Sequence, residues 1–120
     1  MKETAESQTE MIIVRVYSIS DTHAVHDILK EISELSKRKE NRHRAIFLCK
    51  NEHVESDWAV CFQNSAIEEC RKSVLATYVA EMLRSVGLVN HTVWKLYDAR
   101  DDRAVDELIK TDPKNQNIIR

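Results

Sequence analysis

The sequence predicts an α+β domain in which one four-stranded antiparallel sheet carries two helices on a single face. Three observations lead there. Four short runs rich in β-branched and aromatic residues read as strands. Two longer stretches carry apolar residues at intervals of three and four, the stripe of an amphipathic helix. The order along the chain is strand, helix, strand, strand, helix, strand. The 120 residues, 42% of them hydrophobic, suffice for one core and exclude a disordered chain. A single Gly and a single Pro exclude a collagenous repeat, a glycine-looped nucleotide site and a turn-rich sandwich.

Each element has a local reason. Residues 1–10 are polar and aperiodic and read as a flexible leader; the domain is expected over 11–98 and a short helix with a polar tail over 99–120. Met11-Ile12-Ile13-Val14-Arg15-Val16-Tyr17 is the first strand. Ser20-Asp21-Thr22 supplies helix-capping chemistry, and Val25, Ile28, Leu29, Ile32 and Leu35 form the stripe that follows. Ala45–Cys49 and Trp58–Phe62 are expected to pair as a hairpin. Ser65 and Glu68 fit a capping box for the second helix, striped by Ile67, Cys70, Val74, Leu75, Tyr78, Val79, Met82, Leu83 and Val86. Gly87 is placed for a left-handed helix cap, with Leu88 as its apolar contact. Thr92–Tyr97 is the fourth strand. Asp101 or Asp102 caps a last helix carrying Val105, Leu108 and Ile109, which Asp112-Pro113 stops.

This βαββαβ order is that of the ferredoxin-like sandwich, in which right-handed crossovers put both helices on one side of the sheet. Strand alternation then assigns faces. Ile12, Val14, Val16, Trp58, Val60, Phe62, Trp94 and Leu96 are expected to meet the helices. Arg15, Tyr17, Asp57, Cys61, Gln63, Lys95 and Tyr97 are expected on the open face.

The charges nearly balance, 18 Lys and Arg against 20 Asp and Glu, for a net −2. That argues against nucleic acid as a partner. Lys37–Arg44 holds five cations and one anion, or +4, which leaves −6 on the rest; with no aromatic interleaved for base stacking, it reads as a solvated loop. Cys49, Cys61 and Cys70 are an odd set without close spacing, not a disulfide framework. No apolar run is long enough to span a bilayer and no signal peptide is visible, so a cytoplasmic location and no membrane partner are expected.

The candidate site residues follow from the open face. In this topology the first and fourth strands adjoin, so Arg15, Tyr17, Lys95 and Tyr97 are expected to cluster, with His91 at the rim. Two phenols beside two cations suit an anionic or aromatic small molecule, and equally a protein interface. Cys61 on the same face would be a nucleophile only if those cations lowered its pKa. His23 and His26, three apart, lack a third ligand, so no metal is expected.

The strand order, the length, and a last strand that follows directly on the Gly87–Leu88 helix end resemble the dimeric α+β barrel superfamily over residues 11–98. That superfamily includes antibiotic-biosynthesis-monooxygenase-like proteins. The resemblance implies a homodimer packed open face to open face, acting on small aromatic or polycyclic substrates, as some of these proteins do without a cofactor; none is expected here. Heme-degrading relatives carry an Asn on the first strand, and Met11–Tyr17 has none. The expected function is therefore a small homodimeric protein binding an anionic or aromatic organic molecule, with cofactor-independent monooxygenase-like chemistry as its enzymatic form. The alternative is a non-catalytic regulatory or structural dimerisation module. Single-stranded RNA binding ranks below both, because the central strands offer Tyr17 but only Cys61 opposite it.

Overall fold

A computed structural model describes residues 7–20, 22–64 and 72–110. The strands are β1 (Ser7–Val16), β2 (Arg44–Lys50), β3 (Asp57–Asn64) and β4 (Gly87–Leu96). The helices are α1 (Thr22–Ser36), α2 (Val74–Arg84) and α3 (Asp102–Lys110). The sheet order is β2-β3-β1-β4, antiparallel throughout, which is the ferredoxin-like arrangement.

The core lies between one sheet face and the first two helices. Ile12, Val14 and Val16 of β1 and Val60 and Phe62 of β3 are buried there, as their alternation requires. Val25, Ile32 and Leu35 of α1 cover them. At the end of α1, the Asn41 side chain donates to the Leu35 carbonyl at 2.7 Å, satisfying one of the carbonyls a helix terminus leaves open.

Four expectations are corrected. β1 begins at Ser7 rather than Met11, so Gln8, Thr9 and Glu10, assigned to a leader, are buried strand residues. In α2 the buried stripe is Ala76, Val79, Ala80 and Leu83; Leu75 and Met82 flank it, while Val74 and Tyr78 are exposed. The two alanines let the helix approach the sheet, a signal that ranking by side-chain size passes over. The α2 cap is Ser73, whose hydroxyl accepts from the Ala76 N–H at 3.1 Å; the Ser65–Glu68 box lies outside the described residues, as do Ile67, Cys70 and Asp21. Gly87 is not a left-handed cap, since no glycine has positive φ and Ser85 caps the helix. Gly87 instead opens β4 where a Cβ would stand 2.3 Å from the Arg15 carbonyl oxygen.

The fourth strand carries the largest correction. Direct pairing puts β4 residues on the face of their β1 partners: His91 opposite Ile12, Val93 opposite Glu10, Lys95 opposite Gln8. Those partners face the helices, so Val93 and Lys95 take that parity. Trp94, paired with Thr9, and Leu96, paired with Ser7, belong to the open face, where both are exposed. Trp58 keeps its expected side, half-buried under Lys50, whose ammonium sits 4.7 Å from the ring centroid. In α3, capped by Asp101 Oδ1, no residue is buried.

Candidate functional site

The register decides the fate of the expected cluster. Arg15 stands opposite Leu88 and Lys95 opposite Gln8, seven residues apart on β1. At ~3.3 Å per residue that is roughly 23 Å. Antiparallel strands bring the end of one to the start of the other, so Arg15 and Tyr17 lie at one end of the pair and Lys95 and Tyr97 at the other. Within each end the residues do meet other groups. Arg15 holds Asp57 in a two-pronged ion pair, Nε to Oδ1 at 2.8 Å and Nη2 to Oδ2 at 2.9 Å. Tyr17 is exposed, its N–H donating to the Val86 carbonyl. The Lys95 ammonium lies 5.6 Å from the Tyr97 ring centroid. His91 is interior rather than at a rim, with 3% of its side chain accessible.

The open face is nonetheless a continuous surface. Its rows read Ala45–Gln63–Thr9–Trp94, then Phe47–Cys61–Met11–Thr92, then Cys49–Ala59–Ile13–Asn90. Leu88 and Leu96 extend it at the two ends of β4. Phe47, Ile13, Leu88, Trp94 and Leu96 are exposed, Trp94 to 55%. The Trp94 indole N–H donates to Thr92 Oγ1 at 2.8 Å, which fixes the ring on this face. Cys61 lies among these residues as an unactivated thiol. Burial, then the neighbouring Cys49, raise its pKa, and among the described residues no cation lowers it, so the condition for a nucleophile is not met.

The helix side carries a polar cluster that sequence reasoning missed. Its row is Arg44–Asn64–Gln8–Lys95, one step from Glu10 and His91. Glu10 is fully buried. Its Oε2 accepts from the Ser73 N–H at 2.8 Å and lies 3.1 Å from His91 Nε2; Asn64 Nδ2 lies 3.5 Å from Oε1. Alternation carried backward from Ile12 would have placed Glu10 and Gln8 inside, but polar residues give such a pattern no hydrophobic signal. Arg44 was read as the last cation of a solvated loop; its Nε and Nη1 are instead buried with no hydrogen-bond partner among the described residues, as is Asn64 Oδ1. Beside Arg44 a groove of about 470 Å³ runs between the end of α1 and the start of α2.

His23 and His26 are exposed. Among the described residues no group of three His, Cys, Asp or Glu side chains could hold a metal ion, and no helix is long and apolar enough to cross a membrane.

No family model and no curated protein matches the chain. A crystal structure of a conserved protein of unknown function from Bacteroides thetaiotaomicron VPI-5482, described as a possible oxidoreductase, is similar in fold. The match has a TM-score of 0.57 at 11% identity and covers 78% of this chain and all of that one. At that identity the likeness is one of fold.

Proposed function

We propose that the chain works as a homodimer of the α+β barrel kind, two copies packed sheet face to sheet face, and binds a small organic molecule of anionic or aromatic character. The observation that carries this reading is the open face, with Phe47, Ile13, Leu88, Trp94 and Leu96 exposed together. Single exposed apolar side chains are ordinary, but five on one face of a sheet favour an interface. A second copy of the same face offers shape and chemistry that fit it, since sheets stack about 10 Å apart through interdigitated side chains. An RNA strand fits it less well, because the aromatic residues Phe47 and Trp94 lie on the two edge strands and the central strands present Met11, Ile13, Ala59 and Cys61. Ligand binding draws on the resemblance to the monooxygenase-like proteins and is supported by the buried polar cluster. The Bacteroides protein's description as a possible oxidoreductase agrees with an enzymatic use and names no reaction.

Sedimentation of the full chain at micromolar concentration tests the dimer, whose interface should bury more than ~1,000 Å². The expected result is a dimer that Phe47→Glu with Trp94→Glu converts to a folded monomer. A wild-type monomer overturns the reading.

A further inference from the structure

The structure assigns the helix-side groove a ligand: we propose that it binds small aromatic monocarboxylates that also bear a hydroxyl, with Arg44 receiving the carboxylate. This rests on the ligand-binding reading above and names its site and substrate class; it does not depend on the dimer.

Arg44 carries the argument. It is the first residue of the edge strand β2, at the helix-facing parity. Two of its guanidinium nitrogens, Nε and Nη1, are buried with no hydrogen-bond partner among the described residues. Guanidinium nitrogens buried without an acceptor are costly, and a planar carboxylate matches the guanidinium fork better than any neutral group. The residue across the ladder is not an acid but Asn64. Asn64 has its own unmet demand, since its amide nitrogen is turned to Glu10 while its Oδ1 is buried and unpaired. The unpaired guanidinium nitrogens of Arg44, which lines the groove, call for a ligand with an anionic group.

The groove beside Arg44 sets the rest of the ligand. Its volume of about 470 Å³ suits a molecule of one or two rings. Leu35, Leu75 and Tyr78 supply apolar and aromatic walls. Arg38 adds a second cation, but Glu31 and Glu40 line the same groove, so its cations and anions cancel. A polyphosphate or a nucleic-acid backbone would bring several negative charges against the two carboxylates there; a monocarboxylate brings one, and its hydroxyl can donate to them. Of the basic run Lys37–Arg44, Arg44 is the residue with guanidinium nitrogens buried and, among the described residues, unpaired.

The test is calorimetric titration of the full chain with 6-hydroxy-2-naphthoate near neutral pH at ~0.15 M salt. The controls are its methyl ester and 2-naphthol, which keep the rings and lose the charge. Binding of the acid should exceed that of both controls. Arg44→Gln should weaken it about tenfold or more, and Arg44→Lys, which keeps the charge but not the fork, should fall between. Amide shifts on titration should centre on Leu75 and Tyr78. Equal affinity for acid and ester, unchanged affinity in Arg44→Gln, or no binding of the acid overturns the proposal. Thermal midpoints show that each variant is folded, and the Lys variant carries the test if the Gln variant is not. Sedimentation of the same samples keeps the two readings apart: a dimer that fails to bind through Arg44 sinks the groove alone, and a monomer that binds sinks the dimer alone.

Discussion

The carboxylate of Glu10 and the imidazole of His91 lie 3.1 Å apart inside the protein, with 0% and 3% of their side chains accessible. They join β1 to β4 beneath the start of α2. The Ser73 N–H, 2.8 Å from the same carboxylate oxygen, gives that helix an acidic group where its dipole favours one. Removing one member of a buried, hydrogen-bonded pair leaves the other unpaired. Glu10→Ala should therefore cost about 3–5 kcal/mol, and His91→Ala a comparable amount. Glu10→Gln retains an oxygen for Ser73 and should cost less, about 1–2 kcal/mol. Urea midpoints measure all three. Losses below about half a kcal/mol for the alanine variants would show that the pair does not join the elements.

Gly87 yields a sharper expectation. A Cβ there would lie 2.3 Å from the Arg15 carbonyl oxygen and 2.8 Å from Val14 Cγ2. The first of these is backbone in the central strand and cannot swing aside. Gly87→Ala should push β4 away from β1 and cost about 1–3 kcal/mol or more. A helix cap would predict the reverse pattern, strain through φ with free space around the Cβ. An unchanged denaturation midpoint would mean that the strands yield at this point.

The α2 stripe makes a ranking. Leu83 and Val79 are 1% and 0% exposed, whereas Leu75 borders the core and also lines the groove. Leu83→Ala should cost about 2–5 kcal/mol, Val79→Ala about 1–2, and Leu75→Ala less than Leu83→Ala. Chemical denaturation of the three variants checks the order. Leu75→Ala as the most damaging would restore the helix phase that side-chain size suggests.

These residues also show where the sequence was legible. Ile12, Val14 and Val16 alternate with Ile13, Arg15 and Tyr17, one set wholly apolar and the other mixed, so the face of β1 is set locally. In β4, Val93, Trp94, Lys95, Leu96 and Tyr97 put large apolar groups at both parities. Its face is fixed by the register with β1, in which Gly87 stands opposite Val16. Size then misleads, because Trp94 is the larger group yet lies exposed on the open face. Glu10 is hidden for another reason. A buried carboxylate is identified by partners 63 and 81 residues away, Ser73 and His91, and no local pattern encodes them. Arg44 combines both difficulties: its neighbours in sequence are exposed, and its helix-facing side is set by pairing with Asn64.

The ion pair of Arg15 with Asp57 gives the last expectation, in pH. The two residues face each other across β1 and β3, and the guanidinium fork meets both carboxylate oxygens. Hydrogen bonds from Arg15 hold the Asp57 carboxyl below its ordinary value of 3.8; partial burial acts against them, and the Ser56 hydroxyl and the charge of Arg15 act with them. A carboxyl more acidic in the folded protein than in the unfolded chain binds its proton more weakly when folded. Its contribution to stability is present above the unfolded value and is lost as pH falls through the folded one. Wild type minus Asp57→Asn should therefore be a constant positive difference in unfolding free energy above about pH 5 that shrinks toward zero in acid. Because Arg15 is largely solvated, raising the salt should reduce the plateau. Arg15→Gln should remove the same plateau, and the double variant should lose little more than either single one, since both break one interaction. Thermal scans from neutral pH to pH ~3 on the four proteins decide this. A difference that persists undiminished into acid would mean that Asp57 acts through packing and not through its charge.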